Sequence, residues 1–428
     1  MNRSILRLAA PALGALAIDP LLTLADTAFV ARLGVTELAA LGVDTAILGF
    51  AFFAFNFLAY VTTPLVARAL GSGDVESAKR WVGDALVLAV GLGIIVAVAM
   101  LALAPLAVSL MGADSAVSGP AVDYLRIRAL ATPAVLIVLA GHGAFRGYHN
   151  TRTPLVVAAV VNGVNLVLDP VLIFGFGWGL PGAAIATVIA QWLGAGLFIR
   201  MLSRREMMSR HQNLKAALPS LLTLGRNGAL VSMRTAAILI ALTVAAGKAT
   251  RLGAEEIAAH QIVVQVWLLA SMSADAFAIA GQVMVGDAVG KAERRMINAI
   301  TGRLAGWGIG IGGFLLAGFW LGRGLLARLS SDPSVGDLAV DAAGVAALMQ
   351  PIAAPLFVAD GIFLGLLALG VLVISTTSGA AVAVGLMLFT SLGDSLTGIW
   401  WAIAAMAVVR LAVFAFAYPR SVTGALRS

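Results

Sequence analysis

Long apolar stretches recur along the whole chain and are separated by short segments rich in Gly, Pro and charge. A bilayer core about 30 Å thick takes roughly 20 helical residues to cross, so each stretch is long enough to span a membrane. The pattern predicts twelve transmembrane helices. Their expected bounds are 5–31, 42–67, 82–110, 121–143, 154–175, 180–201, 217–247, 254–285, 298–327, 337–364, 368–391 and 396–418.

Composition supports a membrane-embedded chain. Of the 428 residues, 61% are hydrophobic and 11% are charged, whereas a soluble domain carries roughly 25% charged residues. Backbone polar groups in lipid must be hydrogen-bonded within their own segment, and long apolar stretches achieve this as helices. The short alternating segments of an outer-membrane barrel are not found. The sequence therefore predicts an all-α integral membrane protein.

The positive charges follow this topology. With twelve spans both termini lie on one side, and that side collects eighteen Lys and Arg residues against five on the other, or seven if Arg126 and Arg128 are counted there. This bias predicts cytoplasmic termini, and it accounts for the formal net charge of +7 without nucleic acid as a partner. The chain has no Cys, and its four His are scattered without metal-ligand spacing, which excludes disulfides and Cys-based metal sites.

The two halves of the chain resemble each other. Residues 32–34 (Arg-Leu-Gly) recur as residues 251–253, an offset of 219 residues. Three further matches lie at offsets of 218 or 219: Gly71 with Gly290, Pro133 with Pro351 and Gly147 with Gly365. Six spans per half give a parallel repeat, as in several transporter classes. We therefore expect two six-helix lobes related by pseudo-two-fold symmetry, residues 1–202 and 217–428, joined by a cytoplasmic linker at 203–216.

Acidic residues inside the spans are the main candidates for function, because each costs about 2.5–3.5 kcal/mol to insert. Asp19 and Asp26 are seven residues apart in span one, which places them within about 20° of one helix face. In span five, Asn162, Asn165 and Asp169 share one face by the same spacing. Such faces should turn toward protein or water and not toward lipid.

Oxygen-rich side chains of this kind suit two chemistries. With the hydroxyl of Thr187 in span six, they supply ligands for a hard cation. Alternatively one carboxyl carries a proton, because burial and carboxylate repulsion both disfavour two charges. A purely structural role, with these groups holding helices together by hydrogen bonds, is the competing explanation.

The second half has fewer acids in its spans. Asp275 lies within span eight and is a further candidate, whereas Asp360 lies near the end of span ten, where a helix-end role is equally compatible. Arg234 and Arg410 lie within spans and need partners. Arg126 and Arg128, near the outer end of span four, are close enough to extend to the membrane interface.

Motifs of soluble enzymes are missing from the sequence. There is no P-loop for nucleotide hydrolysis, and neither H-E-x-x-H nor G-x-S-x-G occurs. These observations favour a transporter over an enzyme.

Six segments resemble the MATE (multidrug and toxic compound extrusion) transporters, in particular the DinF-like branch, and they occur in the same order along nearly the whole chain. They are residues 24–30 (LADTAFV), 124–129 (YLRIRA), 145–155 (FRGYHNTRTPL), 165–175 (NLVLDPVLIFG), 258–262 (AAHQI) and 360–365 (DGIFLG). This sequence departs from the family pattern at Asn150, where an aspartate is common, and after Gly365, where the usual charged turn is missing.

The resemblance implies a cation site. The family's constellation falls on Asp26, Asn165, Asp169 and Thr187, where Na⁺ or H⁺ would bind, and it implies bending of helix one at a hinge near Pro11. Asp19, Asn162 and Asp275 are additional candidates for this site.

The leading hypothesis is a secondary antiporter that exports amphipathic, often cationic, organic compounds in exchange for H⁺ or Na⁺ by alternating access. The alternatives are a flippase for a lipid-linked precursor, an exporter of organic acids and a passive channel. We expect a monomer in the inner (plasma) membrane of the cell, with no cofactor beyond the coupling ion and with the lipid bilayer and a small organic substrate as its partners.

Overall fold

The computed structural model describes residues 1–209, 214–329 and 332–427; the side chains of Asp19 and of residues 50–53, 214–216 and 329 lie outside this description. Every regular element in the described part of the chain is a helix. The helices are α1 (Asn2–Val30), α2 (Val35–Phe55), α3 (Phe57–Gly71), α4 (Val75–Leu110), α5 (Ser115–Ala129), α6 (Thr132–Gly147), α7 (Arg152–Pro170), α8 (Gly179–Arg204), α9 (Leu214–Leu252), α10 (Ala254–Gly290), α11 (Arg294–Leu326), α12 (Pro333–Gly365), α13 (Leu369–Phe389) and α14 (Leu396–Arg427).

The helices confirm the all-α membrane fold. Within the described residues, ten helices are long and apolar enough to cross a bilayer, and the bent pair α5 and α6 makes an eleventh span. The predicted second span, 42–67, falls on α2 and α3. Each predicted span therefore has a counterpart, although two of them are not single helices.

The predicted continuous helix over 121–143 is wrong. Helix α5 ends at Ala129, α6 begins at Thr132, and the two are bent by 50° at the break. Pro133 is the second residue of α6, and a proline both lacks an N–H and disfavours the helical conformation of the residue before it. The predicted span 42–67 is likewise divided, because α2 ends at Phe55 and α3 begins at Phe57.

The sequence repeat appears as a repeat of close helix contacts. A methyl group added to Gly143 of α6 would lie 3.0 Å from Cα of Ala59 in α3. Added to Gly361 of α12, it would lie 2.5 Å from Cα of Ala278 in α10. Gly361 is 218 residues after Gly143, and Ala278 is 219 after Ala59. The two halves therefore use equivalent glycines to bring equivalent helices together.

The same repeat sets the turns that end the helices. Gly73 (φ 80°) after α3 corresponds to Ala292 (φ 56°) after α10, and His149 (φ 58°) after α6 corresponds to Leu367 (φ 54°) after α12. In each of these turns the next residue's N–H bonds the carbonyl five residues back, for example Asp74 to Ala69, which is the Schellman way of capping a helix. The turn after Gly365 is therefore Leu366–Ala368, despite its lack of charge.

The chain divides into two compact units by its internal contacts, residues 14–228 and residues 1–13 with 229–428. In the first unit α6 packs against α3, α4 and α8, and α5 packs against α2, α4 and α8. In the second unit α12 packs against α10, α11 and α14. The predicted lobes 1–202 and 217–428 are close to these units, and the functional division into those lobes stays a prediction.

Candidate cation-binding site

Three of the predicted site residues meet where α7 packs against α8. Asn165 and Asp169 are one turn apart on α7, and each is only 1% exposed. The Asn165 amide Nδ2 donates to Oδ1 of Asp169 at 3.3 Å and to the hydroxyl of Thr187 at 3.5 Å. The Thr187 hydroxyl donates in turn to the carbonyl of Ala183, one turn earlier on α8, at 3.0 Å. Amide, carboxyl and hydroxyl oxygens thus converge inside the unit.

Asp26 of α1 completes the group. Its carboxyl lies within hydrogen-bonding reach of the Asp169 carboxyl, and two carboxyls can share a hydrogen bond only when a proton lies between them. Both residues belong to the unit of residues 14–228. The structure therefore brings together all four residues, Asp26, Asn165, Asp169 and Thr187, that the sequence singles out as one constellation.

Three acceptor oxygens of this group have no donor among the described residues. They are Oδ1 of Asp26, Oδ1 of Asn165 and Oδ2 of Asp169, and all are buried. Buried acceptors are normally satisfied, and oxygens of this type suit Na⁺ or a proton. The described residues contain no group of three or more His, Cys, Asp or Glu arranged for a metal, so Na⁺ here would use amide and hydroxyl oxygens beside the two carboxyls.

A local irregularity follows Asp169. Pro170 lacks an N–H, and residues Val171–Gly175 form a π turn in which the Phe176 N–H bonds the Val171 carbonyl at 2.9 Å. A methyl at Gly182 of α8 would lie 2.9 Å from the backbone of Leu172, so α8 approaches this turn closely. Single π turns are frequent at functional sites, and this one fixes the end of α7 next to the paired carboxyls.

Three residues around this site are not predicted from the sequence. Tyr124 and Arg128, one turn apart on α5, both interact electrostatically with Asp26 and Asp169, and Arg128 also interacts with Asp44 of α2. Asp44 is 0% exposed. Arg128 is partly exposed and its Nε and Nη1 atoms are buried, whereas Arg126 is exposed; the extension of the two arginines to the membrane interface stays a prediction. Asp44 lies within a predicted span, so the argument that acids inside spans are candidates for function applies to it as it does to Asp26.

The additional candidates have different positions. Asn162 is partly buried on α7, and its amide donates to the Ala158 carbonyl at 2.9 Å. Asp275 lies on α10 in the other unit. The side chain of Asp19 lies outside the described residues. Helix α1 is continuous through Pro11, and the hinge at that residue stays a prediction about motion.

A second buried charge cluster lies in the other unit. Arg410 contacts both carboxylate oxygens of Asp360 at 2.8 Å, and Arg234 contacts Oδ2 of Asp360 at 2.5 Å. Asp360 and Arg410 are each 3% exposed. Asp360 is thus the partner that Arg234 and Arg410 were expected to need. One carboxylate thus joins two guanidinium groups from different helices.

A helical membrane protein of two similar halves, with paired carboxyls inside its spans, has the features of a secondary transporter. The model of the MatE family matches residues 11–171 and again residues 230–388, one match for each half of the repeat. The chain belongs to the MatE family of membrane transporters.

Relatives and solved structures agree with this membership. Protein DETOXIFICATION 44, chloroplastic, of Arabidopsis thaliana is 33% identical over 96% of this chain and 81% of the relative. DNA damage-inducible protein F of Escherichia coli is 29% identical over 85% of this chain and 80% of the relative. The crystal structure of the Vibrio cholerae MATE transporter VcmN in the bent form matches the fold with a TM-score of 0.91 and 20% identity, over 99% of this chain and 97% of that one.

Proposed function

We propose that this transporter is an antiporter that exports amphipathic, often cationic, organic compounds in exchange for H⁺ or Na⁺. The observation that carries the proposal is the Asp26–Asp169 pair, which lies beside Asn165 and has buried acceptor oxygens with no donor in the part of the chain that the structure describes. A related protein of Thermotoga maritima, 25% identical over 78% of this chain, bears the name probable multidrug resistance protein NorM. The coupling gradient supplies the energy, so the proposal includes no further cofactor.

The coupling follows from the chemistry of the pair. Two adjacent carboxylates with no positive charge between them repel each other inside a protein, and a bound proton or Na⁺ removes that repulsion. A cation that binds one conformation better than the other shifts the population toward it. Cation entry from outside would then favour the conformation that releases substrate outside, with α1 carrying Asp26 as the moving element.

The test is efflux of a fluorescent cationic dye from proteoliposomes, with a pH gradient and a sodium gradient imposed separately. Asp26→Asn removes one charge at nearly constant shape, so we expect a folded protein that no longer responds to either gradient. Asp123→Asn, which changes an exposed acid of the same unit, serves as the matched control and should retain efflux. If the Asp26→Asn variant still exports dye in response to a gradient, the proposed site is refuted. If the wild-type flux depends on neither gradient and does not saturate, the protein is a channel.

One observation favours a second substrate class. The Asp360 cluster of the second unit contains two guanidinium groups, those of Arg234 and Arg410, and buried arginines of this kind would attract an organic anion instead of a cation. The same proteoliposomes loaded with an anionic dye distinguish the two classes. Gradient-driven efflux of the anionic dye alone would establish export of organic acids, with the cation site unchanged. We further propose that the protein works as a monomer in the inner membrane with both termini in the cytoplasm.

A further inference from the structure

An apolar groove lies on the surface of the second unit, between α11 and α12. It has a volume of about 460 Å³ and is lined by Gly313, Leu316, Ala317, Trp320, Leu321 and Leu348. Leu321 is 83% exposed and Leu348 is 47% exposed, so the groove opens away from the core of the unit. Both helices are long and apolar enough to cross a bilayer, and we therefore expect this face to contact lipid.

The length of the groove corresponds to one leaflet of a bilayer. Gly313 and Arg323 are ten residues apart on α11, which is about 15 Å, or half of a hydrocarbon core about 30 Å thick. Next to Gly313 the two helices come close together, because a methyl on Gly312 would lie 2.6 Å from the carbonyl oxygen of Gln350. The groove thus has the length of one acyl chain, whereas a helix from a second copy would need a groove across both leaflets.

A stacked tryptophan and arginine lie at the end of the groove nearer the membrane surface. The Arg323 Cζ atom lies 4.1 Å from the centre of the Trp320 ring, and a methyl at Gly344 of α12 would lie 3.8 Å from Nη1 of Arg323. Arg323 has no ion pair or hydrogen bond within the described part of the chain. Tryptophan and arginine near the end of a span are typical of the headgroup level. A guanidinium stacked on a ring keeps its N–H edge available for a phosphate.

Two acids continue the same face of α12 beyond this arginine. Four residues spaced four, three and four positions apart share one face of the helix: Asp337, Asp341, Gly344 and Leu348. Leu348 lines the groove and Gly344 lies beside Arg323, so Asp341 is about 4.5 Å further toward the start of α12. Both acids are exposed, and neither has an ion-pair partner among the described residues. From the bilayer centre outward, the groove is therefore apolar, then positive, then negative.

We propose that this groove binds one phospholipid whose headgroup ends in a primary ammonium, as in phosphatidylethanolamine. One acyl chain lies along the apolar groove, the phosphate accepts hydrogen bonds from Arg323, and the ammonium, two carbons beyond the phosphate, donates to Asp341. An anionic headgroup would be repelled by the two acids, and a choline headgroup has no N–H to donate. The site lies apart from the cation site and does not depend on the proposed antiport.

Three substitutions separate the parts of this site. Gly313→Leu fills the groove at a position where an added methyl meets nothing within 4 Å, so it should weaken the binding of every phospholipid while the protein still folds. Arg323→Gln should weaken every phospholipid about fivefold, as expected for one basic residue at the lipid surface. Asp341→Asn should weaken phosphatidylethanolamine alone, by up to about fivefold. If Arg323→Gln does not fold, Trp320→Leu removes the ring that orients the guanidinium and should weaken every phospholipid.

The measurement is native mass spectrometry of the purified full-length protein, titrated with phosphatidylethanolamine, phosphatidylglycerol and phosphatidylcholine that carry identical acyl chains. Two variants are matched controls. Gly302→Leu places the same side chain at a glycine of α11 that also has open space and lies outside the groove. Arg328→Gln removes an exposed arginine five residues after Arg323. Both controls should bind all three lipids as the wild type does.

Tighter binding of phosphatidylethanolamine, with its preference lost in Asp341→Asn, is the expected result. Equal affinities of the wild type for the three lipids, or unchanged binding in Gly313→Leu, would overturn the proposal. An equal loss of binding in Arg323→Gln and Arg328→Gln would also overturn it, since the charge would then act without a defined site. Protein dimers that disappear in Gly313→Leu would show instead that a second copy occupies the groove. None of these readouts involves dye efflux, so the lipid site and the proposed function fail independently.

Discussion

Replacing Asp360 by Asn removes one negative charge from the centre of the second unit at nearly constant volume. In the native protein this carboxylate contacts Arg410 through both oxygens at 2.8 Å and also contacts Arg234. The side chains of Asp360 and Arg410 are 5% and 3% exposed, so water cannot replace the lost contacts. Breaking a buried ion pair from one side costs about 3–5 kcal/mol, because the remaining charge is left uncompensated. Here the carboxylate contacts two guanidinium groups, so we expect the upper part of that range.

The assay is thermal unfolding of the detergent-purified protein, followed by size-exclusion chromatography with fluorescence detection. For a domain of about 200 residues, a loss of 3–5 kcal/mol corresponds to a fall of roughly 6–20 °C in Tm. The matched control is Asp394→Asn, which alters an ion pair with Lys248 whose N–O distance is 3.9 Å and whose acid is 74% exposed. Such an exposed pair contributes about 0–1 kcal/mol, so its Tm should barely change. If Asp360→Asn melted within about 2 °C of the wild type, on this scale, the assignment of Asp360 as the structural centre of the cluster would be wrong.

Two further predictions concern the backbone. Gly361→Ala should destabilise the second unit by about 1–3 kcal/mol, because the added methyl would lie 2.5 Å from Cα of Ala278. Gly302→Ala is the control, since a methyl there meets open space and should be neutral or stabilising. Thermal unfolding compares the two variants, and equal changes in Tm would contradict the close approach at Gly361. Ala292 and Gly73 are equivalent turn residues with positive φ values of 56° and 80°, a conformation that favours glycine. Ala292→Gly should therefore stabilise the protein by about 0.5–1 kcal/mol, and Gly73→Ala should destabilise it by a similar amount. Thermal unfolding should show Tm changes of opposite sign for the two variants.

The long helices and the helix faces that carry the candidate residues can be predicted from the sequence, because their signals are local. A stretch of apolar residues determines a span, and the spacing of Asn165 and Asp169 determines that they share a face. The break between α5 and α6 depends on Pro133, whose effect on an apolar helix ranges from none to a sharp bend. Pro351, its equivalent in the repeat, lies inside the unbroken helix α12, so sequence alone does not distinguish the two outcomes.

The partners of the charged residues depend on tertiary packing and are not predicted. Arg128 looks like an interfacial arginine from its place near the end of a span, yet its Nε and Nη1 atoms are buried where α5 packs against α2, α4 and α8. Asp360 looks like a helix-end acid, yet α12 packs against α14 and places it against Arg410. In both cases the sequence identifies the costly residue and leaves its partner undetermined, because that partner is distant along the chain.

The repeat supports a cation site in one half only. At the repeat offsets, Asp26 corresponds to Ala245 and Asp169 to Met387, and both of these apolar residues are 0% exposed. Asp360 corresponds to His142 in the first half. The two halves therefore keep the same helix contacts and the same turns but differ in buried charge. The first half has buried acids at Asp26, Asp44 and Asp169, and the second has two arginines on the single carboxylate of Asp360. Because packing is retained where charge is not, the buried carboxyls of the first half are not needed to build this fold. That independence supports the proposal that the Asp26–Asp169 pair serves cation coupling, and it predicts that neutralising the pair removes coupling while leaving the helix packing intact.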